Sequence, residues 1–433
     1  MFLKEETALI ENSYYEAGVV RASPCARLSE HVSADVCVIG GGYAGLAAAL
    51  ELRARGYAVA LLEGQRIGWG ASGRNGGQVI VGYAGQAAIE KQLSREEARR
   101  AWDISVEAMQ WVHDRIAAHG IDCDYTPGFL TLALSPRKAR ALRQSVEHLE
   151  KTYDYRTEWI DEKTMREWVA SDKFHGGAYD PLSGHLHPLK YCLGLADAAR
   201  ACGVRMYEDS PVLHVERSGR PLVRTAIGEV DCQFVVLAGN VYLDRYGGGH
   251  IAPELTRRII PVGTYMVATE PMARERADAL IRHRAAACDT NFVLDYFRVT
   301  ADNRLLFGGG DAFSGETPPN LINHVRQRML AVFPQLADLD VPYAWGGFVD
   351  VTVNHAPDFG RIGSNIYYLQ GFSGHGLALA GVAGRLVAEA IAGQAERFDL
   401  LSRIRHVPLP GGSFIRTPAV ALGVLYYKLR DLL

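Results

Sequence analysis

The chain has 433 residues, 48% hydrophobic and 22% charged, with a net charge of -3. That length allows two domains and a large core, and the composition is that of a soluble globular protein. The near-neutral balance gives no reason to expect nucleic acid or an anionic membrane as partner. The acidic opening MFLKEETALIE lacks the basic and apolar regions of a signal peptide. The longest apolar stretch near the end, 419–427, falls far short of the ~20 residues that span a bilayer. Seven scattered cysteines, with no C-x-x-C, point to free thiols in a reducing compartment, so a cytoplasmic location is expected.

Residues 1–34 form an arm whose Tyr14 and Tyr15 are expected to pack on the body. Residues 35–64 read DVCVIGGGYAGLAAALELRARGYAVALLEG and organise the rest. Val36, Val38 and Ile39 make a short buried strand. Gly40, Gly42 and Gly45 then form G-x-G-x-x-G, and an Ala/Leu-rich helix opens at Tyr43 and Ala44. Gly56 stops that helix, Val59, Leu61 and Leu62 make a second strand, and Glu63 follows Gly40 by 23 positions. This is the strand–loop–helix–strand–acid unit that binds a dinucleotide. Gly40 allows the turn, Gly42 admits a pyrophosphate, and Gly45 lets helix and strand approach. The helix dipole and free N–H groups attract phosphate. Glu63 can accept from ribose hydroxyls and would repel a 2′-phosphate, which disfavours NADP.

RIGWGASGRNGGQ, 66–78, places five glycines in thirteen positions directly after the acid. No ordinary helix or strand tolerates this. At that place it can run along a cofactor and offer backbone N–H groups, which suits an enclosed flavin. Residues 87–120 are predicted helical, 129–134 a strand, and 136–152 and 161–170 helices. His185-x-His187 lacks a third metal ligand at suitable spacing, so 175–190 reads as a polar loop before a helix opening at Pro188. Strands are predicted at 204–207, 212–216, 234–237 and 259–270, a charged helix at 271–287, and a hairpin at 292–299 and 305–310. A helix at 320–333 and a strand at 343–349 follow. Residues 367–370 form a last strand, 371–376 a glycine turn, and 377–391 a helix whose Ala378, Gly381 and Gly384 share a small-residue face.

GGGYAG with Glu63, then GASGRNGG, LAG, and GFSGHG before a small-residue helix, together resemble the D-amino-acid oxidase-type flavoproteins. SGRNGGQ, GFSGHG and the C-terminal RTPAVALGVLYYKLRDLL resemble most closely the branch that oxidises γ-glutamylputrescine. The resemblance implies an α/β fold, α+β overall, with a Rossmann-like FAD-binding domain and a second substrate domain built on an antiparallel sheet. The FAD-binding domain is expected from 31–86, 185–245 and 346–400. The substrate domain is expected from 87–184 and 246–345, with 1–30 an arm and 401–433 a tail.

Residue by residue, the resemblance implies that Gly40, Gly42, Tyr43, Ala44 and Gly45 hold the pyrophosphate and Glu63 the adenosine ribose. Gly70, Ala71, Ser72, Arg74, Asn75, Gly76, Gly77 and Gln78 run along the flavin. Val212 touches adenine, and Ala238 and Gly239 approach the pyrophosphate. Gly374, His375, Gly376 and Leu377 meet the N1/O2 edge of the ring. No cysteine stands just before GFSGHG, so the FAD is noncovalent. No arginine clearly matches the clamp for a substrate α-carboxylate; Arg298 is the nearest candidate. Tyr296, Arg298, Trp345 and Phe372 are the expected pocket.

The implied activity is oxidation of an amine C–N bond by hydride transfer to flavin, releasing aldehyde, ammonia and hydrogen peroxide, with molecular oxygen as expected acceptor. The expected substrate is γ-glutamylputrescine or a related γ-glutamylated polyamine. The alternatives are a glycine, sarcosine or D-amino acid oxidase, a quinone-linked dehydrogenase, and a flavin-binding assembly or tRNA-modification partner. No basic patch supports the last.

Overall fold

A computed structural model gives the fold and describes residues 7–217, 219–246, 251–312 and 320–408. The C-terminal motif and the 419–427 stretch lie outside the described residues. Two large sheets organise the rest. The first has six strands in the order Asp358–Ile362, Ile366–Gln370, Phe234–Leu237, Val36–Ile39, Val59–Leu62 and Arg205–Tyr207. All neighbours are parallel except the first pair. VCVI and VALL are buried at every position, as parallel strands covered on both faces must be.

Small residues set how its helices pack. A Cβ on Gly384 of helix Gly376–Ile391 would overlap the backbone nitrogen of Ala48 in helix Tyr43–Ala54. A Cβ on Gly381 would overlap the Trp111 ring of helix Arg95–His119. The Trp111 indole N–H donates to buried Glu51 at 2.8 Å, and Arg55 pairs with the same carboxylate at 2.7 Å. The small-residue face is therefore where three helices close on one another.

The second sheet has nine strands and is mostly antiparallel. Its order is Tyr343–Thr352, Ile259–Ala268, Leu305–Ala312, Tyr296–Val299, Ala286–Asp289, Thr126–Leu132, Gly176–His185 and Gln78–Val79, with Glu158–Asp161 beside Gly176–His185. Helix Leu321–Val332 covers one face, and its Val325, Met329 and Val332 join the core around Phe297, Phe307 and Phe333. A four-stranded sheet pairs His31–Ser33, Glu229–Asp231, Leu222–Arg224 and His214–Glu216. The α/β fold with an antiparallel second sheet is what the sequence implied.

Several elements differ from the sequence reading. The expected loop at 175–190 is mostly the ten-residue strand Gly176–His185. Its glycines hid it, because they bring no side-chain alternation; Gly184 is needed where a Cβ would lie 2.5 Å from Thr126 O. His187 then caps the helix Pro188–Ala201, accepting from Lys190 N at 3.2 Å. The single helix of 87–120 is two, Gln86–Gln92 and Arg95–His119, broken where Ser94 and Glu97 form a capping box. The helix of 271–287 is only Arg274–Leu280, and Ala286–Asp289 is a strand. Residues 161–170 hold only a short turn and Met165–Trp168. Among the described residues, no single helix is long and apolar enough to cross a membrane.

Candidate functional site

The carboxyl ends of the central parallel strands converge on one cleft. Strand Val36–Ile39 ends at Gly40, whose φ of +115° favours glycine and whose Cβ would lie 2.5 Å from Ala238 O. A Cβ on Gly45 would overlap the Gly40 carbonyl, which is the close helix–strand approach inferred from the spacing. Helix Tyr43–Ala54 opens at Gly42 with no side chain of its own to cap it. Ser72 reaches across instead, its hydroxyl accepting from Tyr43 N at 3.0 Å.

Glu63 stands at the end of the next strand. Its carboxylate accepts from Gly41 N at 2.7 Å and from Gln65 N at 2.9 Å. Burial pushes its pKa up, and these backbone bonds pull it back. A carboxylate has about four acceptor positions, so two backbone bonds leave capacity for ribose hydroxyls.

The glycine-rich loop is lashed down rather than loose. Asn75 Nδ2 donates to Ala71 O at 2.9 Å, and its Oδ1 accepts from Gly77 N at 2.8 Å. Tyr15 of the arm, fully buried, donates to Asn75 O at 2.9 Å. Arg298 Nε donates to Gly76 O at 2.7 Å, and its Nη2 reaches Tyr15 Oη at 3.2 Å. Arg74 is buried behind the loop, donating to Trp69 O at 2.6 Å with its guanidinium 4.4 Å over the Trp69 ring. Burial, with Arg298 nearby, pushes His185 and His187 down to about 3, so both rings are neutral.

The third approach comes from strand Ile366–Gln370 and the turn after it. Helix Gly376–Ile391 opens there with no side-chain cap. Gly374 has a φ of +89° and nothing within 4 Å of a Cβ built on it. Burial pushes His375 down to about 4.

The cleft wall takes in the expected cofactor residues apart from Gly45, Arg74, Gly77 and His375, which sit behind it. Of the four expected pocket residues, Phe372 lines this cleft. Trp345 is fully buried and donates its indole N–H to Arg74 O at 2.9 Å. Arg298, 3% exposed, is engaged by Gly76, Tyr15 and His185. The structure thus places both in the support of the loop. Tyr296 lies against the loop, with a Gly76 Cβ position 2.9 Å from its ring, and its hydroxyl is 2.8 Å from Thr264 Oγ1.

Tyr15 packs on the body as expected, though its bond to the loop was not foreseen, and sequence reasoning missed Trp69, Tyr242 and Asp350. Trp69 and Tyr242 meet edge to face at 5.2 Å in the cleft wall. Asp350 had a faint signal: it is the residue just past the predicted end of its strand, which runs on to Thr352.

Two helix starts whose own N-cap residues supply no side-chain cap, two strand-end glycine approaches and one acid on a single cleft suit a bound dinucleotide. With an antiparallel sheet beside them, they define a dinucleotide-dependent oxidoreductase of two-sheet design. The chain belongs to the FAD dependent oxidoreductase family, whose profile matches residues 35–390. FAD is therefore its cofactor, and the uncapped start of helix Gly376–Ile391 and the open space at Gly374 fit it. The chain is 41% identical to gamma-glutamylputrescine oxidoreductase of Escherichia coli K12, over 97% of this chain and 98% of that protein. It is 25% identical to glycine oxidase of Bacillus subtilis, over 86% and 96% of the two chains. The crystal structure of glycine oxidase from Geobacillus kaustophilus superposes with a TM-score of 0.69 at 20% identity, covering 84% of this chain and 95% of that one, and so shares the fold.

Proposed function

We propose that this chain oxidises the C–N bond of an amine bearing an amide-linked polar head, γ-glutamylputrescine first, with molecular oxygen as acceptor. The observation that carries this reading is the 41% identity, end to end, with a gamma-glutamylputrescine oxidoreductase. FAD supplies the two-electron chemistry when bound. The amine carbon would give its hydride to bound FAD, both electrons would pass with a proton to oxygen as hydrogen peroxide, and water would hydrolyse the imine to aldehyde and ammonia.

The chain's own residues bind and orient. Gly40, Gly42 and Gly45 shape the pyrophosphate turn, with Ala238 and Gly239 beside it. Glu63 takes the adenosine ribose and Val212 the adenine. The start of helix Gly376–Ile391 faces the ring edge, where its dipole favours negative charge. Binding is noncovalent, since no cysteine occurs between residues 289 and 376. Phe372 and Tyr296 are assigned to the substrate side. Arg298 and Trp345 are assigned to holding the loop, in place of the substrate-pocket role expected for both.

Peroxide release measured on γ-glutamylputrescine, glycine, sarcosine and D-alanine tests this reading. Steady release is expected on the first. Faster release on any of the three small amino acids overturns the substrate assignment. Turnover with a quinone but none with oxygen overturns the acceptor.

A further inference from the structure

Asp350 enters the cleft wall from strand Tyr343–Thr352 of the antiparallel sheet and is 2% exposed. Its carboxylate accepts the backbone N–H of Gly371, and its backbone carbonyl accepts from Ser373 N at 3.0 Å. Two residues on, Thr352 N donates to Ser373 Oγ at 3.3 Å. The strand therefore grips the turn at three points from outside the six-stranded sheet.

The gripped turn is one the chain does not adopt readily. Gly371, Ser373 and Gly374 have φ values of +75°, +51° and +89°. A serine in the left-handed region is disfavoured, and such backbone persists where its surroundings over-determine it. The turn leads straight into the uncapped helix Gly376–Ile391, whose Gly376 and Leu377 line the cleft with Gly374. A shift of this turn moves the first N–H groups of that helix.

We propose that Asp350 is a positioning residue for the cofactor: it pins the 371–374 turn from the second sheet and so aims the start of helix Gly376–Ile391 at the FAD ring. The proposal rests on the reading that the ring edge meets this turn. Burial, and the neighbouring Asp358, push the Asp350 carboxyl up to about 7. Asp358 is in turn engaged by Arg258 at 3.3 Å and Gln370 at 2.9 Å. Keeping a carboxyl here is thus a cost to the fold at neutral pH. Its removal leaves the buried Gly371 N–H without its acceptor and is expected to loosen the turn.

The test measures FAD dissociation constants by titrating FAD-free protein, and flavin midpoint potentials of the loaded protein, for wild type, Asp350→Ala, Asp350→Asn and Gly374→Val. Asp350→Ala is expected to weaken FAD binding about tenfold, as for loss of a charge-assisted bond, and to shift the potential. Asp350→Asn keeps one acceptor oxygen for the Gly371 N–H and is expected to recover most of the affinity. Gly374→Val, which puts a side chain on the cleft side of the turn, is expected to weaken FAD whatever Asp350 does. Asp350→Ala and Asp350→Asn both within twofold of wild type, at unchanged potential, overturn the proposal. If Gly374→Val is also silent, the placement of the ring at this turn falls with it. If Asp350→Ala does not fold, Asp350→Asn decides: an unshifted potential there overturns the proposal.

Discussion

Gly45→Ala is expected to yield no FAD-loaded protein. The added Cβ would overlap the Gly40 carbonyl oxygen, a backbone atom in the turn that opens the cofactor cleft. Overpacking usually costs ~1–3 kcal/mol because side chains give way. Here nothing on a flexible side chain can yield; either the helix Tyr43–Ala54 lifts or the glycine turn distorts. The helix is held from behind, since Gly384 already brings helix Gly376–Ile391 against its Ala47 and Ala48. The turn therefore distorts, and the N–H groups at Gly42, Tyr43 and Ala44 leave their places. The FAD content of the purified variant and its melting temperature check this. Wild-type FAD content at wild-type stability would contradict the packing account.

Free putrescine is expected to be turned over with a kcat/KM about 10²-fold or more below that of γ-glutamylputrescine. The reacting end of the two molecules is the same amine carbon. The difference lies in the distal head, whose binding positions that carbon for transfer. Trp69, Tyr242 and Phe372 make part of the cleft wall aromatic, which suits an aliphatic chain. Arg298 is engaged by the glycine-rich loop, so Arg298→Ala is not expected to discriminate between the two amines. Steady-state rates on both substrates measure the ratio; a ratio near one would place no weight on the head.

Much of the cofactor cleft was legible because its signals are local. An apolar run, three glycines at fixed spacing and an acid 23 residues on from the first all sit within 35–64. The second sheet was legible where strands alternate, and illegible at Gly176–His185, where glycine carries no pattern. Long-range lashing left no local trace. Tyr15 reaches Asn75 across 60 residues and Arg298 across 283, so a tyrosine in an aperiodic arm gave no hint of its place under the loop. Arg298 was read toward the substrate because a strand's sequence gives its alternation but not which neighbour each face meets. Asp350 was passed over because a single acid ending an apolar strand resembles any solvent-facing end.

On the proposed function, the flavin of this protein takes its electrons from the C–N bond of a γ-glutamylated amine. An anaerobic titration of the FAD-loaded protein with γ-glutamylputrescine tests it without reference to the acceptor. The visible flavin absorbance is expected to bleach with one equivalent of substrate per FAD, and to return when air is admitted. An absorbance that stays unchanged with γ-glutamylputrescine while glycine, sarcosine or D-alanine bleaches it would contradict the account.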